Sequence, residues 1–296
     1  MRADVDSLDG ATAAFLSVRS RLFGIAYRIL SSAAEAEDIV QEAWLRWQSA
    51  DRSVVRDATG FLVTTTVRLA LNFVQSARAR RETYIGPWLP EPVDTSADPT
   101  LGAERGEALE LAVLLLLEKL SPNERAAYVL REAFDYSFRD IAEILQLTET
   151  NTRQLATRAR KHISDERRVQ VSTGEHRRFV EAFLSAAQRG DFAALKEVLA
   201  EDALSVTDGG GVIGAARIPI AGRERVARFV AGFPSQFWQN TSLLWAQVNG
   251  QQSALIMRDG AIVAMGSVEV TVHGIERILW VMNPEKLTRL AAGLKL

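Results

Sequence analysis

The side chains best suited to chemistry lie in one stretch, ETNTRQLATRARKHI, residues 149–163. Asn151, Thr152, Arg153, Gln154, Thr157 and Arg158 crowd its first half. Arginine pairs with guanine edges, asparagine and glutamine pair with adenine, and hydroxyl and guanidinium groups hold phosphates. At helical spacing Leu155 and Ala159 take an inner face and these polar groups an outer one. The positive end of the helix dipole would lie at the same tip. Arg160, Lys161, Arg167 and Arg168 extend the positive surface. The chemistry expected is hydrogen bonding to duplex DNA in the major groove. The plain alternative is a structural helical bundle with a solvated basic face.

The elements that must position this tip are short helices. Ser121 with Pro122 and Glu124 is a capping-box start, and Ala126, Val129, Leu130 and Ala133 mark one buried face. Ser137 caps a second helix with Ile141, Ala142 and Leu145 inward, and Gln146-Leu147-Thr148 makes a tight connection. A short helix, a three-residue turn and a longer basic helix from about Glu149 to Ile163 form a helix-turn-helix pattern.

Composition limits what the rest can be. The 296 residues exceed one ordinary domain, and 47% hydrophobic content supplies ample core. The net charge is -2 and the pI about 6.0, so DNA contact must rest on local patches or on a partner. The chain has no cysteine and only three histidines (His162, His176, His273), which argues against disulfides, thiolate chemistry, a histidine metal cluster and any cofactor held by them. No run of 18 apolar residues and no N-terminal signal pattern occurs, so no membrane segment and a cytoplasmic location are expected.

Three helical stretches precede the helix-turn-helix: Asp9–Leu30, Ser31–Trp47 and Gly60–Arg81. In the second, Asp38, Gln41, Glu42 and Leu45 share a face while Ile39 and Ala43 point inward; that face is either solvated or docks a basic partner. In the third, Val63, Val67, Leu71 and Val74 recur at helical spacing, with Arg68, Asn72, Gln75 and Arg78 on the outward side. Pro87, Pro90, Pro92 and Pro99 then define a semi-stiff linker, whose Trp88 and Leu89 are unusual in a free tether and imply docking. Leu101–Leu120 resumes as helix. The expected divisions are residues 1–83, a linker 84–100, residues 101–168 and residues 174–296.

After Ser172-Thr173-Gly174 the pattern changes. Glu175–Gln188 is an amphipathic helix, Asp191 caps another, and Arg223–Gly232 is a third. Leu204–Thr207, Val212–Ile220, Phe237–Val248, Ser253–Arg258, Ala261–Val272 and Ile275–Met282 read as strands. Gly250, Asp259-Gly260 and His273-Gly274 supply hairpin turns. Helices followed by a meander predict an α+β domain with a curved antiparallel sheet.

The order of acidic helix, basic third helix, linker and helix-turn-helix resembles the extracytoplasmic-function sigma factors. AEDIVQEAWLRW (Ala36–Trp47) is similar to their region-two helix. That resemblance implies that Asp38, Gln41, Glu42 and Leu45 meet the clamp helices of the largest subunit of core RNA polymerase. It implies that Gly60–Arg81 recognises the minus-ten promoter element and Ser121–Ile163, as region four, the minus-thirty-five element. The C-terminal half resembles the SnoaL-like cone found in a sigma-factor subgroup. WLPEP (Trp88–Pro92), DGGG (Asp208–Gly211) and NPEKL (Asn283–Leu287) carry this likeness. The subgroup usually has lysine after the triple glycine, where this chain has Val212. In that subgroup the appended domain acts in cis in place of a separate anti-sigma protein.

Each motif also has a reading of its own. Asp208-Gly209-Gly210-Gly211 permits positive φ and close approach of another segment, or is simply a hairpin turn. Asn283-Pro284-Glu285 starts a helix that continues through Lys286 and Leu287. Trp88-Leu89-Pro90 is expected to dock near Asp208–Gly211. Catalysis would need a pocket acid with an oxyanion donor. Asp202, Asp208, Asp259, Glu269 and His273 form no nucleophile–base pair, so no enzyme activity is expected. The cone interior (Phe229, Phe233, Phe237, Trp245, Trp280) either holds a small apolar ligand or packs shut. The competing function is a polymerase-independent helix-turn-helix regulator fused to a ligand-binding or catalytic cone.

Overall fold

The computed structural model describes residues 8–82, 84–96, 109–166, 171–211, 216–232 and 235–295; for residues 75–82 and 235–236 it describes the backbone alone. The chain forms two compact units: residues 1–82 with 98–166, and residues 83–97 with 167–296.

The first unit is helical. Helices α1 (Leu8–Leu30), α2 (Ala33–Ser49) and α3 (Ala58–Glu82) pack on one another. Trp47 is fully buried, donates from Nε1 to Ala11 O at 3.0 Å, and meets Phe61 at 5.3 Å. Leu22, Ile25, Ile39, Leu62, Val63 and Val67 complete that core. The cap of α2 is Ser32, and Ser31, with a φ of 58°, ends the preceding turn. Helices α4 (Leu111–Glu118), α5 (Pro122–Tyr128), α6 (Phe138–Leu145) and α7 (Glu149–Glu166) follow. Both halves of the Ser121–Glu124 capping box are formed, but after Tyr128 the helix widens into a π-helical turn over Val129–Ala133. In α6 Ile144 is buried and Leu145 only partly so, one position from the sequence expectation.

The second unit opens with α8 (Thr173–Arg189) and α9 (Phe192–Val198), then β1 (Leu199–Asp208), β2 (Ile220–Ala221), α10 (Arg223–Ala231) and the short α11 (Ser235–Trp238). Strands β3 (Thr241–Val248), β4 (Gln251–Arg258), β5 (Ala261–Thr271) and β6 (Gly274–Val281) form the meander, and α12 (Pro284–Leu294) closes the chain. The strand order is β2-β1-β6-β5-β4-β3. The meander is antiparallel as its turns require, with Asn249-Gly250 and Asp259-Gly260 both at positive φ. β1 pairs with β6 in parallel, so the sheet is mixed, not wholly antiparallel. Two strand expectations are corrected: residues 235–238 are helical before β3, and of Val212–Ile220 only Ile220 is in a strand, which continues to Ala221, residues 212–215 lying outside the described residues.

One face of the sheet packs Val268, Ile278 and Trp280 against Val180, Phe183, Leu195, Val226 and Val230 of the helices. Leu255, Met265, Leu279 and Val281 alternate with these and are buried too, on the side where α12 packs on β5. Gly274 has a φ of 107°, and a Cβ there would stand 2.7 Å from Val198 O. Gly274→Ala is therefore expected to cost about 2 kcal/mol or more, through strain and a backbone clash. Denaturant unfolding of the full chain should show the transition reported by the C-terminal tryptophans at a lower midpoint.

Candidate functional site

Asp208 closes β1 beside Val281, at the end of the sheet where α12 begins. Its side chain is wholly buried, yet every polar atom is met. Oδ1 accepts from the Tyr84 hydroxyl at 2.5 Å and the Gly210 amide at 3.1 Å. Oδ2 accepts from the Leu89 amide at 3.0 Å and Lys286 Nζ at 2.8 Å. Lys286, itself 4% exposed, also donates to Leu89 O and sits 4.4 Å from the centre of the Trp88 ring. A buried carboxylate is tolerable only when paired and hydrogen-bonded, and this one has an ammonium and three neutral donors.

The linker supplies two of those donors, so WLPEP docks where DGGG and NPEKL meet. Leu89 is fully buried, Pro90 is buried, and buried Glu91 accepts from Arg289 at 2.9 Å. Asn283 caps α12 through the Glu285 amide and donates from Nδ2 to the Tyr84 oxygen at 2.8 Å. Burial first, and then the bond to Asp208, push the Tyr84 phenol far above its usual pKa, so it stays a donor. The glycines let the linker and the start of α12 approach the turn. A Cβ on Gly210 (φ 65°) would lie 2.7 Å from Asn283 Nδ2, and one on Gly211 (φ 72°) 3.0 Å from Ile85. Gly209 and Leu287 are buried behind them, and Pro284 takes the first helical position. Val212 lies outside the described residues.

The sequence placed Trp88-Leu89-Pro90 beside Asp208–Gly211, but it read Asn283 and Lys286 only as the start of a helix and missed Tyr84 and the Glu91–Arg289 pair. Tyr84 stands just beyond the end of α3, and nothing in its neighbours marks it as a hydroxyl donor. A pairing between Glu91 and Arg289 needs the fold, because the two are far apart in sequence.

On α7, the Thr148 hydroxyl accepts from the Asn151 amide and starts the helix. Asn151, Arg153, Gln154, Thr157 and Arg158 are exposed. Thr152 is the correction: it is fully buried, donates to Thr148 O at 3.0 Å, and belongs to the inner row with Leu155, Ala156, Ala159 and Ile163. At 3.6 residues per turn, position 152 precedes Leu155 and Ala156 by three and four and must share their face. Arg153 pairs with Glu149 and covers the Phe138 ring at 4.6 Å, Arg158 lies 3.4 Å from Glu124, and Arg160 pairs with Glu132.

Asp38, Gln41 and Leu45 stand exposed along α2, while Glu42 is half-buried and pairs with Arg46 at 2.8 Å. On α3, Arg68 and Asn72 are exposed; the side chains of Gln75 and Arg78 lie outside the described residues. Arg68 donates from Nε to Ile144 O at 3.1 Å, at the carbonyl end of α6. Arg125 reaches Ile29 O at 2.7 Å in the same unit. Between α3 and α6 an open cleft of about 740 Å³ is bordered by Arg46, Asp57, Arg68, Asp140 and Glu143.

Of the expected cone interior, Phe233 lies outside the described residues. The apolar cavity lined by Thr207, Phe229, Val230, Phe237, Trp238, Trp280 and Met282 measures about 20 Å³, room for roughly one water. Glu269 pairs with Arg277 at 3.0 Å. Among the described residues no cluster of potential metal ligands occurs, and no helix is long and apolar enough to cross a membrane.

Two family models match the chain: sigma-70 region 2 over residues 14–80 and sigma-70 region 4 over residues 110–163. The chain is 36% identical over 291 residues to the ECF RNA polymerase sigma factor SigJ of Mycobacterium tuberculosis, a match covering 93% of this chain and 92% of the relative. It is 31% identical over 293 residues to a probable ECF RNA polymerase sigma factor, SigI, of the same species, with 97% and 98% covered. The crystal structure of the Mycobacterium tuberculosis SigJ factor superposes with a TM-score of 0.74 at 32% identity, over 94% of this chain and 98% of that one.

Asp208→Ala leaves the Lys286 ammonium buried without its counter-ion and is expected to cost about 3–5 kcal/mol in denaturant unfolding. Pairing Asp208→Asn with Lys286→Met should recover much of that loss, since neither charge is then stranded. Separately, Thr152→Val should lower stability without changing base preference, whereas Asn151→Ala should alter binding to minus-thirty-five sequences in a base-substitution series.

Proposed function

The chain belongs to the extracytoplasmic-function sigma factors of RNA polymerase, and we propose that its C-terminal unit regulates it in cis by holding the linker between the two promoter-reading regions. Membership makes it a subunit that joins core RNA polymerase and promoter DNA and directs promoter-specific initiation. The exposed row Asp38, Gln41, Leu45, with Glu42 beside it, offers acid and leucine to the clamp helices of the largest subunit. Arg68, Asn72, Gln75 and Arg78 of α3 serve the minus-ten element. Asn151, Arg153, Gln154, Thr157 and Arg158 of α7 serve the minus-thirty-five element; buried Thr152 supports them from behind.

The observation that carries the cis reading is the bond from the Leu89 amide to buried Asp208, fixed in turn by Lys286. A linker held by a saturated ion pair is released only as a unit. This mode of control requires no ligand, in keeping with a cavity of about 20 Å³.

Run-off transcription with purified core polymerase tests it, comparing the full chain, a chain ending at Gly174 and Asp208→Ala. Specific transcripts are expected from all three. Yields from the truncated chain and from Asp208→Ala should depart from the full chain in the same direction. Equal yields would remove the cis role. No transcript from any of them, with polymerase-independent binding to an operator, would remove the sigma reading.

A further inference from the structure

The linker is gripped a second time, beyond the reach of the Asp208 ion pair. Asp94 bridges antiparallel to Val248 at the end of edge strand β3. The Thr95 amide donates to Gln247 O at 3.0 Å and the Asn249 amide to Val93 O at 2.9 Å. Side chains reinforce the bridge: the Val93 amide donates to Asn249 Oδ1 at 3.0 Å, and the Gly250 amide to Thr95 Oγ1 at 3.0 Å. Thr95 and Asn249 are both buried. The turn Asn249-Gly250, with φ of 53° and 76°, thus presents its own donors and acceptors to a passing chain. Tyr84 to Thr95 is bound to one unit at both ends.

We infer that this two-point clamp makes the C-terminal unit a determinant of promoter spacer length, with Thr95 and Asn249 as its positioning residues. The inference rests on the sigma-factor reading above. Without the clamp, residues 83–108 would join α3 to Leu109 and could span about 94 Å when fully extended. With it, only residues 97–108 separate Ser96 from Leu109, a span of at most about 43 Å. The other end of region four is short as well. Residues 167–170 separate Glu166 from Val171, whose amide donates to Val270 O, and they reach about 14 Å. On the other side, residue 83 alone separates Glu82 of α3 from Tyr84. The chain therefore joins both ends of region four and the end of region two to the same unit through stretches whose lengths are limited by residues 97–108, 167–170 and 83. Each base pair added to a spacer moves the distal element about 3.4 Å and turns it by roughly 35°. A tether about half as long accepts fewer such steps.

The test is run-off transcription by the holoenzyme on promoters whose spacer changes in single base pairs. Three chains are compared: the full chain, Thr95→Val with Asn249→Gly, and the full chain with about six Gly-Ser residues inserted after Pro99. Glycine at 249 keeps the positive φ while removing the acceptor for Val93. The full chain should lose activity several-fold about two base pairs from its optimum. The double variant should flatten that profile, and the insertion should extend it toward longer spacers. The insertion touches no described residue, so it reports even if the double variant folds poorly. A profile that the insertion leaves unchanged overturns the inference, whatever the double variant does. Silence of the full chain at every spacer would instead count against the sigma reading.

Discussion

A carboxylate taken out of water has to be given donors, and the C-terminal unit is arranged around that demand at Asp208. Its four partners come from three separate stretches: Tyr84 and Leu89 of the linker, Gly210 of the glycine turn and Lys286 of the last helix. None of these can move away without leaving a buried polar atom unmet, at about 1–3 kcal/mol for a neutral group and more for a charge. The positive end of α12 begins three residues after Val281, the strand partner of Asp208, and adds a favourable dipole. The requirement therefore binds strand, helix and linker into one cooperative piece. Three motifs far apart in sequence serve a single electrostatic purpose.

The DNA-facing unit follows a different electrostatic rule. Four of its exposed arginines are engaged: Arg153 with Glu149, Arg158 with Glu124, Arg160 with Glu132, and Arg68 with the carbonyl end of α6. Exposed pairs of this kind contribute roughly 0–1 kcal/mol each, so DNA phosphates displace them at modest cost. The intramolecular carboxylates nevertheless lower the positive potential of the free chain, consistent with its net charge of -2. Such a surface suits a protein that meets DNA with the help of a larger partner.

The helix starts were legible because capping is local chemistry. Ser121, Ser137, Asp191 and Asn283 all cap as their side chains suggest, whereas the capping box at Ser172 starts its helix two residues before the expected Glu175. The meander was legible from its glycine turns, and the meeting of WLPEP with DGGG from the oddity of Trp88 and Leu89 in a proline-rich tether. What periodicity could not show was pairing between distant strands: nothing in LAEDALSVTD marks β1 as a parallel neighbour of β6. Thr152 was misplaced because its polarity outweighed its position, although its hydroxyl satisfies itself on Thr148 O and its methyl packs inward. The Asn249-Gly250 dock escaped because an Asn-Gly turn announces a hairpin and says nothing about a third segment laid against it.

The most direct measurement is amide hydrogen exchange across residues 84–96 of the free full-length chain, alone and with Asp208→Asn. A docked linker should protect the Leu89, Val93 and Thr95 amides as strongly as the neighbouring sheet. Asp208→Asn should release Leu89 first, because its acceptor becomes a neutral amide. Exchange of all three amides at the rate of an unstructured peptide, in the unsubstituted chain, would contradict a linker held by the C-terminal unit.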